Sequence, residues 1–109
     1  MIDASKTLLC IDDEESGLKC RKLLLESCGF TVLTASGGKE GLGIFKSRAV
    51  DGVVVDYLMP EMDGRAVSAE MKNVKPGTPV IMLSGYPSVP EEVRDVGDAF
   101  IEKTQDPSF

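Results

Sequence analysis

Acidic, hydroxyl and basic side chains follow four short apolar runs of this 109-residue chain. Asp12 and Asp13 follow the first of these runs, and Asp56, Ser84 and Lys103 each follow a later one. Three carboxylates brought together repel one another and need a cation, and oxygen ligands suit a hard divalent ion such as Mg²⁺. A lysine and a hydroxyl suit phosphoryl oxygens, and an aspartate can itself become phosphorylated. These residue types together predict a Mg²⁺-assisted phosphoryl site.

The elements that would position these side chains are apolar runs alternating with longer amphipathic segments. The runs predict strands at 7–11, 31–35, 53–55, 79–83 and 99–102. The segments between them predict helices over 14–28, 37–48, about 64–74 after an Asp63 cap, and about 90–96. This order predicts an α/β fold, a parallel sheet with helices on both faces, because right-handed crossovers place them there. The functional crevice of such sheets lies beyond the carboxyl ends of the strands, where the polar residues fall.

The first predicted helix has an apolar face and a charged remainder. The charged side chains, Arg21 among them, are expected away from the face formed by Leu18, Leu24, Leu25 and Cys28. Gly29 is expected to end this helix in a left-handed conformation. The three cysteines match no metal-ligand spacing and are expected to be buried, reduced thiols: Cys10, Cys20 and Cys28.

The second predicted helix, over 37–48, contains glycines at positions 37, 38, 41 and 43. Each glycine in a helix costs about 0.5–1 kcal/mol relative to alanine. We therefore expect a weak helix whose apolar side comes from Leu42, Ile44 and Phe45.

Composition excludes several classes of function. The net charge of −6 and the lack of a basic run argue against direct nucleic-acid binding by this chain. The absence of histidine excludes a serine-protease-type triad and a histidine-ligated zinc site. The apolar runs are too short to span a bilayer, and the first residues lack a signal-peptide pattern. We expect a cytoplasmic protein that does not insert into membranes.

Four segments resemble the receiver domains of bacterial two-component response regulators, in the family's order. They are Ile11-Asp12-Asp13-Glu14, the stretch from Val54 to Gly64 (VVDYLMPEMDG), Met82-Leu83-Ser84-Gly85 and Phe100-Ile101-Glu102-Lys103. The resemblance implies a single receiver domain over residues 1–109. It also implies a flavodoxin-like, doubly wound five-stranded parallel sheet of strand order 2-1-3-4-5, with the last helix missing or truncated.

The resemblance also implies roles for the acidic residues. Asp56 would be the phosphoacceptor, taking a phosphoryl group from a histidine of a partner sensor kinase or phosphotransfer protein. Asp12 and Asp13 would hold Mg²⁺, with Asp13, Asp56 and the backbone carbonyl of Leu58 as direct ligands.

The same resemblance implies roles for residues at the later strands. Lys103 would pair with the phosphoryl group, Ser84 would move to hydrogen-bond it, and Phe100 would be the aromatic switch residue. Leu58 and Tyr86 would flank the path of attacking water, and since neither can orient that water, self-dephosphorylation is expected to be slow.

Each of these residues taken alone has a purely structural alternative. The aspartate pair could cap a helix, Asp56 could be a turn residue, Lys103 a solvated charge, Ser84 a cap and Phe100 a core residue. Their occurrence at successive strand ends favours the functional interpretation.

Alternative functions also fit parts of the sequence. A haloacid-dehalogenase-type phosphatase would need an aspartate two residues after its nucleophile, but Glu14 follows Asp12 at that spacing. A flavodoxin-like nucleotide binder would need a Gly- and Ser/Thr-rich first loop, whereas Glu14 and Glu15 would repel phosphate there. A receiver-like module that only docks onto proteins stays open, and the intact Asp13, Asp56 and Lys103 argue against it.

The apolar strands also bear on how the two faces of the predicted sheet are covered. Strands that are apolar on both faces need both faces covered. Without the fold's last helix, a second copy of the chain or an exchanged segment would have to cover one face, which predicts a homodimer.

Overall fold

In a computed structural model, residues 6–57, 59–84 and 99–102 are described, with the backbone alone for 84 and 99–102. The elements are β1 (Thr7–Ile11), α1 (Glu15–Ser27), β2 (Thr31–Ala35), α2 (Gly38–Ser47), β3 (Gly52–Asp56), α3 (Gly64–Val74), β4 (Val80–Ser84) and β5 (Ala99–Glu102). These bounds confirm the five predicted strands and three of the predicted helices to within about a residue at each end. The helix predicted at 90–96 lies outside the described residues.

The five strands form one parallel sheet of order β2-β1-β3-β4-β5. This confirms the predicted flavodoxin-like order. The register pairs Ile11 at the end of β1 with Ala35 on one side and Val55 on the other. Because parallel strands end at the same edge, this register carries Asp12 and Asp56 to neighbouring positions at the carboxyl edge of the sheet.

One face of the sheet packs against α2 and α3, and we call it the α2/α3 face. Its strand residues alternate along the chain, as in Leu9 and Ile11 of β1 and Val53 and Val55 of β3, and all four are buried. The helices add side chains that are fully buried against them, among them Phe45, Val67 and Met71. The main apolar core of the described residues therefore lies on this face.

Glycines allow α2 to approach both α3 and the sheet closely. A Cβ built on Gly38 would lie 2.8 Å from Val67 Cγ2, and one built on Gly41 would overlap the side chain of Ile11. Gly43, in contrast, has nothing within 4 Å of such a Cβ, and it is exposed. Two of the glycines that predicted a weak helix are thus packing positions, where the absence of a side chain lets the backbones approach each other.

The opposite face packs against α1, and we call it the α1 face. Cys10, Leu18 and Val32 are buried there, with partly buried Leu25, Phe30 and Val54 around them. The predicted apolar face of α1 is wrong in part, because Leu24 is 43% exposed and Cys28 is exposed, while Arg21 is only 6% exposed. The side of α1 that faces the sheet carries buried Leu18 and Arg21 and partly buried Leu25, which share one side of the helix. Gly29 follows with φ 103°, which confirms the predicted left-handed ending.

The three cysteines differ in burial. Cys10 is fully buried on the α1 face, whereas Cys20 and Cys28 are exposed free thiols. The prediction of buried thiols is therefore wrong for these two, because they lie on or beside the solvent side of α1. Burial raises the pKa of the Cys10 thiol from 9.0 to about 11, against the opposing charges of Arg21 and Lys22.

Among the helices of residues 6–57 and 59–84, none is long and apolar enough to cross a bilayer.

Candidate functional site

Three carboxylates converge at the carboxyl edge of the sheet. Asp12 and Asp13 directly follow β1, and Asp56 is the last residue of β3. One oxygen from each of the three carboxylates lies within 4.8 Å of the others. Asp12 and Asp56 are buried, at 2% and 6% exposed, while Asp13 is exposed and opens the cluster to solvent. Mg²⁺ usually takes one or two carboxylates and completes its shell with water and phosphate oxygens, so the residues present fit that ion.

Asp12 is held from two sides. Its Oδ1 accepts a hydrogen bond from the backbone N–H of Glu14 at 2.9 Å, and its Oδ2 forms an ion pair with Nη2 of Arg21. The N-cap of α1 is Glu14, which makes no side-chain capping bond. The alternative interpretation of the aspartate pair as a helix cap is therefore wrong for this structure.

Arg21 is the residue that sequence reasoning missed. Its side chain is 8% exposed, and that of its partner Asp12 is 2% exposed. Burial lowers the pKa of the guanidinium, and the electrostatic effects of Cys10 and Asp56 oppose this shift. Arginine stays protonated in proteins, so the acidic cluster contains a positive charge from the chain itself. The available signal was the spacing of Arg21 between Leu18 and Leu25, three and four residues away on one side of the helix.

The loop after β3 fixes the backbone of Asp56. The N–H of Tyr57 donates to the carbonyl of Leu83 at 2.8 Å, and the N–H of Gly64 donates to the carbonyl of Tyr57 at 2.8 Å. A Cβ on Gly64 would lie 2.6 Å from the carbonyl oxygen of Asp56 and 2.8 Å from Cα of Tyr57. Glycine is needed there because these neighbours are backbone atoms, and they could make room for a side chain only if the loop itself changed its conformation.

Two further residues of this loop anchor its ends. Met59 is 8% exposed and belongs to the core of the α2/α3 face. Asp63 caps α3, since its Oδ1 accepts from the N–H of Ala66 at 2.9 Å, which confirms the predicted cap. Between them Glu61 has φ 68°, a left-handed conformation that is uncommon for a residue other than glycine. The loop thus ties Asp56 to both the core and the start of α3.

Two other predicted site residues lie in the later strands of the described sheet. Ser84 is the last residue of β4 and directly follows Leu83, which pairs with Asp56. Phe100 lies in β5 and pairs with Met82. Leu58, Tyr86 and Lys103 lie outside the described residues. The structure therefore brings together the three carboxylates and places the backbone of Ser84 at the same edge, and the roles of all these residues stay predictions.

Sequence comparison identifies relatives of this chain. The family model for the response regulator receiver domain matches residues 8–108. The transcriptional regulatory protein GlrR of Escherichia coli (strain K12) is 44% identical over 86 residues, 79% of this chain and 19% of GlrR. The alkaline phosphatase synthesis transcriptional regulatory protein PhoP of Bacillus subtilis (strain 168) is 35% identical over 80 residues, 73% of this chain and 33% of PhoP. The chain thus spans about a fifth of GlrR and a third of PhoP.

Solved structures share the fold. The response regulator TrrA of Thermotoga maritima, in complex with Mg²⁺-BeF, has a TM-score of 0.88 at 28% identity, covering 94% of this chain and 90% of TrrA. A structure of TrrA in complex with the histidine kinase ThkA has a TM-score of 0.85 at 29% identity. The match covers 92% of this chain and 87% of the matched chain in that complex. Since the family model matches nearly the whole chain and solved response regulators share its fold, the chain belongs to the response regulator receiver domain family.

Proposed function

We propose that Asp56 accepts a phosphoryl group from a histidine of a sensor histidine kinase or a phosphotransfer protein, with Mg²⁺ as cofactor. The observation that carries this proposal is the convergence of Asp12, Asp13 and Asp56 within 4.8 Å at the carboxyl edge of the sheet. Two of these carboxylates are buried, and carboxylates brought so close need a cation to offset their repulsion. The complexes of TrrA with Mg²⁺-BeF and with a histidine kinase support the proposal by relationship.

In the proposed reaction, a carboxylate oxygen of Asp56 bonds to phosphorus as the bond from phosphorus to the histidine nitrogen breaks. The histidine nitrogen keeps the electron pair of the broken bond. The hydrogen-bonded backbone around Tyr57 and Gly64 holds Asp56 in place for this attack. When bound, Mg²⁺ supplies positive charge that offsets the charge of the phosphoryl group.

The proposed ligands of Mg²⁺ are Asp13, Asp56 and the backbone carbonyl of Leu58, with Asp12 helping to hold the ion. Lys103 and Ser84 are proposed to contact the phosphoryl oxygens, and Phe100 to change position with them. A lysine and a hydroxyl suit this role because they donate hydrogen bonds to anionic oxygens.

The sequence also supports proposals about location, nucleic-acid binding and the lifetime of the phosphorylated state. We propose a cytoplasmic domain that spans residues 1–109, binds no nucleic acid through this acidic chain and loses its phosphoryl group slowly. Homodimerisation stays a prediction, which light scattering on this chain tests.

Intact-mass analysis after incubation with acetyl phosphate and Mg²⁺ tests the proposal. The wild type is expected to gain the mass of one phosphoryl group, and chelation of the metal is expected to prevent this gain. Asp56→Asn is expected to abolish labelling. Asp51→Asn is the matched control, because Asp51 is exposed and lies just before β3, at the opposite end of the strand from Asp56.

Two results would contradict the proposal. Labelling that survives Asp56→Asn would place the phosphoryl group on another residue. A wild-type protein that stays unlabelled by acetyl phosphate and by histidine kinases would favour the module that only docks onto proteins.

A further inference from the structure

The acidic cluster contains a buried cation of the chain's own, and the proposed function assigns it no role. Arg21 reaches from α1 to Oδ2 of Asp12. Burial lowers the pKa of this guanidinium, and the charge of Asp56 is among the effects that oppose the shift. The guanidinium therefore contacts one of the three carboxylates proposed to serve Mg²⁺.

The position of this ion pair is set by the helix. A Cβ built on Gly17, one turn before Arg21, would lie 3.5 Å from Oδ2 of Asp12 and 3.6 Å from Nη2 of Arg21. The pair thus lies beside the backbone of α1, at a distance where a methyl group on Gly17 would make ordinary van der Waals contact with both partners. The two other described ion pairs on α1 are more exposed: the side chains of Lys19 and Glu15 are 74% and 83% exposed, and those of Lys22 and Glu26 are 39% and 40% exposed.

Burial strengthens the electrostatic effect of the Arg21 guanidinium on its neighbours. Two charges interact more strongly in a protein interior than in water, because little solvent screens them. A divalent cation that enters the cluster must share Asp12 with the guanidinium and meets its repulsion. Both oxygens of Asp12 already accept, one from Arg21 and one from the N–H of Glu14.

We propose that Arg21 is a resident counter-ion that competes with Mg²⁺ for the acidic cluster and so lowers the affinity of this domain for the ion. The inference rests on the proposed function in one respect, that Mg²⁺ binds at these carboxylates. Arg21 stabilises the three carboxylates while Mg²⁺ is absent. When Mg²⁺ binds, the positive charge of Arg21 lowers the affinity of the carboxylates for the ion. It is a positioning and affinity-setting residue, because its contact is with Asp12.

Isothermal titration with MgCl₂ tests this proposal on the whole chain. Arg21→Met removes the charge and keeps much of the side-chain volume, and Arg21→Gln removes the charge but keeps hydrogen-bond donors for Asp12. Both variants are expected to bind Mg²⁺ roughly tenfold more tightly than the wild type, since a nearby positive charge is gone. Lys19→Met is the matched control, because it removes an exposed charge from the same helix, and its affinity is expected to stay unchanged.

Thermal unfolding followed by circular dichroism gives a second readout. Without metal, both Arg21 variants are expected to unfold at lower temperature than the wild type, because Asp12 stays buried without its guanidinium. Added Mg²⁺ is expected to raise their unfolding temperature by more than it raises that of the wild type. If a variant is unfolded without metal, its refolding on addition of Mg²⁺ replaces the titration, and failure to refold counts against the proposal.

Unchanged or weaker Mg²⁺ affinity in folded Arg21 variants would overturn the inference. Such a result beside normal Asp56 phosphorylation would leave the proposed function intact. Tighter Mg²⁺ binding by the variants in a protein that is never phosphorylated would contradict the proposed function alone. Absence of Mg²⁺ binding in the wild type and both variants would overturn the inference together with the metal site.

Discussion

The two faces of the sheet are built in different ways. The α2/α3 face is an apolar core in which strand residues, helix residues and glycine contacts fit closely. The α1 face has a smaller apolar cluster beside a buried thiol and a buried ion pair. The larger apolar core thus lies between the sheet and the helices α2 and α3, whereas a buried ion pair lies between the sheet and α1, next to the acidic cluster.

The first prediction compares one buried apolar side chain from each face. Phe45→Ala on the α2/α3 face is expected to lower the free energy of unfolding by about 3–5 kcal/mol, because Phe45 is fully buried and its removal leaves a cavity. Leu18→Ala on the α1 face is expected to cost about 2 kcal/mol, since Leu18 is 9% exposed and its cluster is smaller. Urea denaturation measures both. Equal costs would contradict the difference between the faces.

The second prediction uses two glycines of the same helix. Gly41→Ala is expected to destabilise the fold by about 1–3 kcal/mol, because the new methyl group would overlap Ile11. Gly43→Ala is expected to stabilise it by about 0.5–1 kcal/mol, because Gly43 is exposed and alanine favours a helix. Both variants replace glycine by alanine in the same helix. If the denaturation midpoint falls for Gly41→Ala and rises for Gly43→Ala, the difference reports the effect of packing at Gly41. Stabilisation by Gly41→Ala would show that α2 does not need the close approach.

The third prediction concerns the buried thiol on the α1 face and the two exposed thiols on or beside the solvent side of α1. Cys20 and Cys28 are expected to react quickly with a thiol reagent at neutral pH, whereas Cys10 is expected to react only on unfolding. Burial raises the pKa of the Cys10 thiol to about 11, so it stays protonated as well as inaccessible. Counting labelled thiols with and without denaturant measures this. Rapid labelling of Cys10 in the folded protein would mean that the α1 face opens readily.

The same pKa shift predicts a dependence of stability on pH. The unfolded thiol loses its proton near pH 9.0, before the folded one does at about 11. The unfolded state then binds fewer protons, so the free energy of unfolding falls as pH rises through this window, and the contribution is fully present below it. Cys10→Ala is expected to show a shallower fall over the same range, and an identical slope would contradict the assignment.

Much of the fold could be predicted from local sequence signals. Apolar runs predict the strands, Asp63 predicts the start of α3, and Gly29 predicts the end of α1, because propensity and capping depend on a few neighbouring residues. The carboxylates could be predicted to meet because parallel strands end at one edge. The sequence by itself therefore determined the elements and the edge at which the chemistry lies.

Other features depended on tertiary structure alone. The rotation of α1 against the sheet decides that Arg21 is buried while Leu24 and Cys28 are exposed, and the sequence permits either arrangement. The approach of α2 to β1 decides that Gly41 is a packing position while Gly43 is open. Contacts between distant segments set these outcomes, and local propensity carries no information about them. The same rotation of α1 places the guanidinium of Arg21 on Asp12, because the face a helix buries is chosen by its packing partners.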